Sequence, residues 1–146
     1  MPKFMKMLNN ISRSQSVFRT ARLQVDGLCA GHHTFILAVC RMAGSSQEEI
    51  AREICLNKST VARALTQLEE RGYLRREAST EDKRRLLVYP TDKMLAVLPQ
   101  VRSVAKEWND LISDGIPEEE LEVFYSVLAR MEERAKSALS QEGEQK

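Results

Sequence analysis

The chain has 146 residues, 42% apolar and 29% charged, with a formal net charge of +1. That size and composition suit one globular domain with room for a sizeable core, and they exclude an intrinsically disordered chain. No apolar run approaches the roughly 18 residues of a membrane span, and the opening MPKFMKMLNN lacks an apolar signal core, so the expected location is the cytoplasm.

The near-neutral total hides an uneven distribution. Residues 1–25 carry five cations (Lys3, Lys6, Arg13, Arg19, Arg22) and no acid, and residues 58–85 carry eight cations against five acids. Residues 117–146 carry four cations against eight acids. Such a chain can present one basic face to phosphates. The three cysteines (Cys29, Cys40, Cys55) are odd in number and lack framework spacing, which fits reduced thiols. Cys40 and Cys55 fall on or near apolar faces and read as small core residues, while Cys29 falls in a loop.

In chain order, residues 3–25 read as a helix with Phe4, Leu8, Ile11, Phe18 and Val25 on a drifting stripe, broken by Asp26-Gly27. A first helix with so few partners nearby in sequence is expected to pack on something distant, such as a second subunit. Cys29 to His33 is a short connection. An apolar helix follows over residues 34–42 (Phe35, Ile36, Leu37, Val39), closed by Gly44.

Residues 46–89 organise the rest. Ser46-x-x-Glu49 is a capping box, and Ile50, Ala51 and Ile54 share one face of the helix it opens. Cys55-Leu56 is the turn, with Leu56 expected to point inward. Asn57 caps a second helix over residues 58–71, which Gly72 ends as a left-handed cap. Val61, Leu65 and Leu68 form its core stripe. Lys58, Ser59, Thr60, Arg63, Ala64 and Gln67 lie off that stripe. Arg can fork onto guanine, Gln onto adenine, and short hydroxyls onto a base or a phosphate. An ordinary solvated face is the competing reading for that helix alone.

Residues 74–77 and 85–89 are strand candidates around a polar tip. Asp82-x-Arg84 places a carboxylate where it could hold a guanidinium in one pose, as a narrow minor groove would favour. Helix, turn, helix and basic hairpin together make a winged helix-turn-helix.

The motifs Ser46-x-x-Glu49-Ile50-Ala51, Leu56-Asn57-Lys58-Ser59-Thr60-Val61-x-Arg63, Leu68-Glu69-x-Arg71-Gly72-Tyr73-Leu74 and Glu81-Asp82-Lys83-Arg84-Arg85 resemble the MarR family of bacterial transcription regulators. The resemblance covers residues 35–92 closely. After the wing the family usually reads Leu-Thr-x-x-Gly, where this chain has Pro90-Thr91-Asp92-Lys93-Met94. Residues 92–113 then read as a helix (Leu95, Leu98, Val101, Ala105, Trp108, Leu111, Ile112), with Pro99 expected to kink it. Asp114-Gly115 breaks it. Pro117 and Glu118, Glu119 and Glu120 open a last helix carrying Leu121, Phe124, Leu128, Met131 and Ala135, and residues 140–146 read as a frayed tail.

The expected fold is therefore mainly α with a small β-hairpin wing (α+β), in a single domain of residues 1–146. The winged lobe spans 34–90, with helical dimerisation regions at 1–26 and 92–139. The resemblance implies a homodimer on a pseudo-palindromic duplex, working as a ligand-responsive repressor, with no membrane partner. DNA contacts are expected from Asn57, Lys58, Ser59, Thr60, Arg63, Gln67, Arg75, Arg76, Asp82, Lys83, Arg84 and Arg85. It also implies a pocket for a small aromatic or lipophilic effector, with candidates Arg19, Arg22, His33, Phe35, Arg41 and Trp108, though packing is the favoured role of Trp108.

Other chemistries draw less support. No Gly-rich phosphate loop or Ser-His-Asp set is present, so no enzyme is expected. No cofactor is implied. Cys29-x-x-His32-His33 brings metal-ligand types together, but no His follows His33 to complete a site. A zinc- or thiol-responsive regulator of the same fold is an alternative, as is a winged-helix protein-interaction module that no longer reads DNA.

Overall fold

The structure, a computed structural model, describes residues 2–25 and 27–143. Its elements run α1 (Pro2–Arg22), α2 (His32–Arg41), β1 (Ser45–Ser46), α3 (Gln47–Ile54), α4 (Lys58–Glu70), β2 (Leu74–Ala78), β3 (Leu86–Pro90), α5 (Asp92–Ser113) and α6 (Glu118–Gly143). The described residues form two compact units, one up to Trp108 and one from Asn109.

Helix starts follow the capping chemistry. Ser46 Oγ accepts the Glu49 N–H at 3.3 Å, and Glu49 Oε2 accepts the Ser46 N–H at 2.7 Å, so the capping box closes in both directions. Asn57 Oδ1 takes the Thr60 N–H at 2.8 Å and opens α4. At the far end of α4, Tyr73 N–H reaches Leu68 O at 2.9 Å and Gly72 N–H reaches Glu69 O at 2.9 Å. That is a Schellman cap, and it requires Gly72 at φ +76°.

The first unit has one core. Val61, Leu65 and Leu68 from α4 meet Ile36 and Val39 from α2, Ile50 from α3, Val88 from β3 and Met94 and Val101 from α5, all at 1% exposure or less. Ala64, expected on the polar side of α4, is also buried, because α4 is covered over more than its Val61-Leu65-Leu68 stripe.

The hairpin forms a three-stranded sheet ordered β1-β3-β2. β2 and β3 pair antiparallel from Leu74↔Pro90 to Ala78↔Leu86. The strand β1, unexpected from sequence, adds Ser45 opposite Val88 and Ser46 opposite Leu87. Pro90 ends β3 without breaking it, and Thr91 joins wing to helix. Its hydroxyl is shared between the Gly72 and Tyr73 carbonyls (2.6 and 2.9 Å) and accepts the Met94 N–H at 3.4 Å. Met94, in place of the family's glycine, is a fully buried core residue.

Three expectations are corrected. Leu56 is 40% exposed, because Cys55 takes the left-handed conformation (φ 55°, ψ 39°) and the turn swings Leu56 outward. Cys55 is exposed for the same reason, while Cys40 is half-buried against the core. The first helix ends at Arg22, leaving Leu23 to enter the core from a coil, and Asp26 of the expected break lies outside the described residues.

In the second unit, Gly115 at φ +75° turns the chain after α5, and Leu121 N–H bonds Pro117 O at 3.1 Å as α6 begins. The helix runs on to Gly143, into the stretch expected as a frayed tail, and 144–146 lie outside the described residues. No residue of α6 from Glu118 to Leu139 is buried. No helix is long and apolar enough to cross a membrane among the described residues.

Candidate nucleic-acid interface

The cap at Asn57 and the core stripe of α4 leave its first two turns facing outward. Lys58, Ser59, Thr60 and Arg63 are exposed there, one turn before exposed Gln67. On the other side of α4, a cleft of about 640 Å³ opens between α3, α4 and the wing, lined by Arg52, Ala62, Thr66, Asp82, Arg84 and Arg85 among others. Arg52 and Thr66 were not anticipated. Their signal in sequence is only that each is polar on the exposed side of its helix.

The wing's cations divide into tied and free. Arg76, its side chain 17% exposed, donates to Glu69 Oε2 at 2.8 Å, to Thr66 Oγ1 at 3.4 Å and to Gln47 Oε1 at 3.3 Å. It bolts β2 to α4 and to the start of α3. Arg75 pairs with Glu77 at 2.8 Å, donates to Pro90 O and lies over the Tyr89 ring. Arg85 pairs with Glu49 at 2.6 Å. The capping hydrogen bond from Ser46 and the Arg85 guanidinium hold the Glu49 carboxyl below the usual carboxylate range.

Asp82 does not clamp the Arg84 guanidinium. Its Oδ1 accepts the Arg84 backbone N–H at 2.9 Å and its carbonyl accepts the Arg85 N–H, so it shapes the wing turn. A carboxylate two residues away reaches the near backbone N–H more readily than the end of a long side chain. Among the described residues, no ion pair or side-chain hydrogen bond holds the charged ends of Lys58, Arg63, Lys83 and Arg84.

The six candidate pocket residues fall into separate places. Arg19 and His33 come together: Arg19 Nε is buried without a hydrogen-bond partner, and the buried His33 ring has the Val101 backbone nearby, without a well-aligned hydrogen bond. Burial, then the Arg19 charge, push His33 down to about 4, and burial also lowers Arg19. Arg22 instead stacks on Phe18 (3.6 Å) and pairs with Glu107 at 2.9 Å, while Phe18 packs on Trp108 with ring centroids 5.2 Å apart. These contacts tie α1 to α5. Arg41, at the other end of α2, pairs with Glu53 at 2.6 Å. Phe35 lines a different, apolar recess of about 330 Å³ with Cys29, His32, Leu56 and Gln67. Among the described residues, no three of His, Cys, Asp and Glu gather as a metal ion would require.

A capped two-helix reader, with a core-bolted hairpin beside it, defines a winged helix-turn-helix protein. Comparison with known proteins agrees. Residues 36–86 match the MarR family. The HTH-type transcriptional regulator BilQ of Clostridium symbiosum is 25% identical over 116 residues, covering 80% of this chain and 81% of that one. The crystal structure of MarR superposes with a TM-score of 0.81 at 29% identity, covering 94% and 93% of the two chains. A MarR family regulator from Listeria monocytogenes, crystallised with a 26mer DNA, shares the fold with a TM-score of 0.86 at 20% identity, covering 91% and 89%. The chain is thus a winged helix-turn-helix protein, and its residues 36–86 are similar to the MarR family of transcription regulators.

Proposed function

We propose that the protein is a cytoplasmic repressor that binds a pseudo-palindromic duplex operator as a homodimer and releases it on binding a small aromatic or lipophilic acid. The observation that carries the DNA reading is the division of the cations. Among the described residues, Lys58 and Arg63 on α4 and Lys83 and Arg84 on the wing stand free, while Arg76 and Arg85 hold the wing to the helices and Arg75 holds its two strands together. In this reading Asn57 caps the reading helix, and Lys58, Ser59, Thr60, Arg63 and Gln67 meet the major groove. Arg84 reaches the minor groove from a turn shaped by Asp82, and Lys83 contacts phosphate. Arg75, Arg76 and Arg85 act on DNA indirectly, by fixing the wing.

The dimer draws support from apolar surface that a lone chain leaves in water. Met5, Met7, Ile11 and Val17 on α1 and Val123, Phe124, Tyr125 and Val127 on α6 are each at least 40% exposed. The effector reading draws on Arg19, whose Nε is buried without a hydrogen-bond partner beside the buried His33 ring, an arrangement that suits a carboxylate. Such a ligand lowers DNA affinity only as far as it favours one dimer form over the other.

The test is selection from a random duplex library at roughly 150–200 mM salt, where phosphate-only binding is suppressed. Enrichment of an inverted repeat, weakened by benzoate-type acids, is the expected result. Retention that fades uniformly with salt and enriches no sequence, with and without those acids, overturns it and favours a protein-interaction module. The pairing of Arg75, Arg76 and Arg85 with Glu77, Glu69 and Glu49 would then be the feature that quenched DNA reading.

A further inference from the structure

The first turn of α2 carries two adjacent buried histidines in different surroundings. His33 lies by Arg19, and His32 reaches α4. His32, 3% exposed, accepts the Cys29 backbone N–H on Nδ1 at 3.3 Å, and its Nε2 lies 3.2 Å from Gln67 Oε1. A ring nitrogen that accepts a hydrogen bond carries no proton, so the proton of the neutral ring sits on Nε2. Nε2 therefore donates to the Gln67 carbonyl oxygen. Were the Gln67 amide reversed, two N–H groups would face each other. The NH2 end of Gln67 is thus the one turned away from His32.

A second tie holds the same two segments. Arg71, one turn beyond Gln67, donates through Nη1 to the Gly27 carbonyl. Gly27 sits at φ +77°, and a Cβ there would lie 3.2 Å from Arg71 Cδ, so the approach depends on glycine. Residues 27–32 are therefore clasped to two successive turns of α4.

We infer that His32 is a positioning residue for base recognition, orienting Gln67 so that α4 offers an amide donor to a base edge. This rests on the proposal that α4 lies in the major groove. A glutamine that pairs with adenine by two bonds must accept from N6 and donate to N7, whereas a donor alone suits the N7 and O6 of guanine or the O4 of thymine. His32 takes one of the two lone pairs of the Gln67 oxygen and turns the amide so that its NH2 leads, so Gln67 favours guanine or thymine over adenine at the position it faces.

The test compares library selections for wild type, Gln67→Ala, His32→Ala, His32→Gln and Arg63→Ala, with the His32 tautomer read from ring nitrogen-15 shifts in the wild-type protein. Gln67→Ala should relax one position per half-site. His32→Ala should move that same position toward adenine by about three- to tenfold and leave the others alone. His32→Gln, whose amide nitrogen can replace Nε2–H, should restore the wild-type preference, which a packing role for His32 would not produce. The ring should carry its proton on Nε2.

A proton on Nδ1, or an unchanged preference in His32→Ala where Gln67→Ala relaxes it, overturns the inference. The tautomer decides the matter even if His32→Ala is too unstable to assay. If Gln67→Ala changes no position while Arg63→Ala does, the inference falls and the reading of α4 stands. If no variant or wild type selects a sequence, the reading itself falls.

Discussion

Glu49 and Arg85 stand 36 residues apart in the chain, and their side chains meet at 2.6 Å. One carboxylate oxygen closes the capping box of α3 while the other holds the base of the wing. The start of the helix-turn-helix and the pose of the hairpin therefore depend on the same charge.

Glu49→Ala should lower the thermal midpoint at pH 7. The Glu49 carboxyl is held below its ordinary value of 4.5 in the fold. Its contribution is whole above that value and is lost as pH falls through the depressed one. The gap between wild type and variant should therefore close as melts are taken below pH 4.5. The freed Arg85 should also steepen the salt dependence of duplex binding by about one unit. An unchanged slope would place Arg85 out of reach of phosphate.

Free and tied arginines should separate in a binding-and-stability comparison. Arg63→Ala should cost about 1–3 kcal/mol of specific binding and relax the preferred sequence, with the melt unchanged. Lys83→Ala should weaken all duplexes alike and flatten the salt slope by about one unit. Arg76→Ala should act mainly on the fold, lowering stability by about 1–3 kcal/mol through its lost bonds to Glu69, Thr66 and Gln47. If Arg63→Ala leaves affinity and preference intact, α4 is oriented otherwise.

His33 should make stability fall with acid. An unfolded imidazole takes its proton near 6.5 and the folded one only near 4. Between those values the unfolded chain binds more protons, so stability is whole above about pH 6.5 and declines down to about pH 4. The slope is at most about 1.4 kcal/mol per pH unit. His33→Leu should flatten urea-denaturation midpoints across that window. A carboxylate bound beside Arg19 should instead favour the charged ring, so benzoate affinity should rise as pH is lowered through the same range.

Cys55→Gly should stabilise the protein by about 1 kcal/mol, because a Cβ is strained in the left-handed region. Cys55 is the one non-glycine residue with positive φ among the described residues. A drop in stability would mean that its side chain contributes more than its backbone costs.

The sequence by itself determined whatever depends on a few neighbouring residues. The Ser46–Glu49 box, the Asn57 cap, the Gly72 stop and the Val61-Leu65-Leu68 stripe need only the right residue types three to seven positions apart, and each stands as read. Those devices sufficed for the winged helix-turn-helix and for which face of α4 is buried. Only the tertiary structure decided which polar groups remain free to act. Arg75, Arg76 and Arg85 look like Lys83 and Arg84 in sequence, but acids on α3, α4 and β2 claim the first three. The two-residue strand β1 exists because β3 offers it a backbone edge, and Gln67 is oriented by a histidine 35 residues away. A hydrogen bond or ion pair is satisfied by whichever partner the fold brings within about 3 Å, and for these groups that partner is distant along the chain.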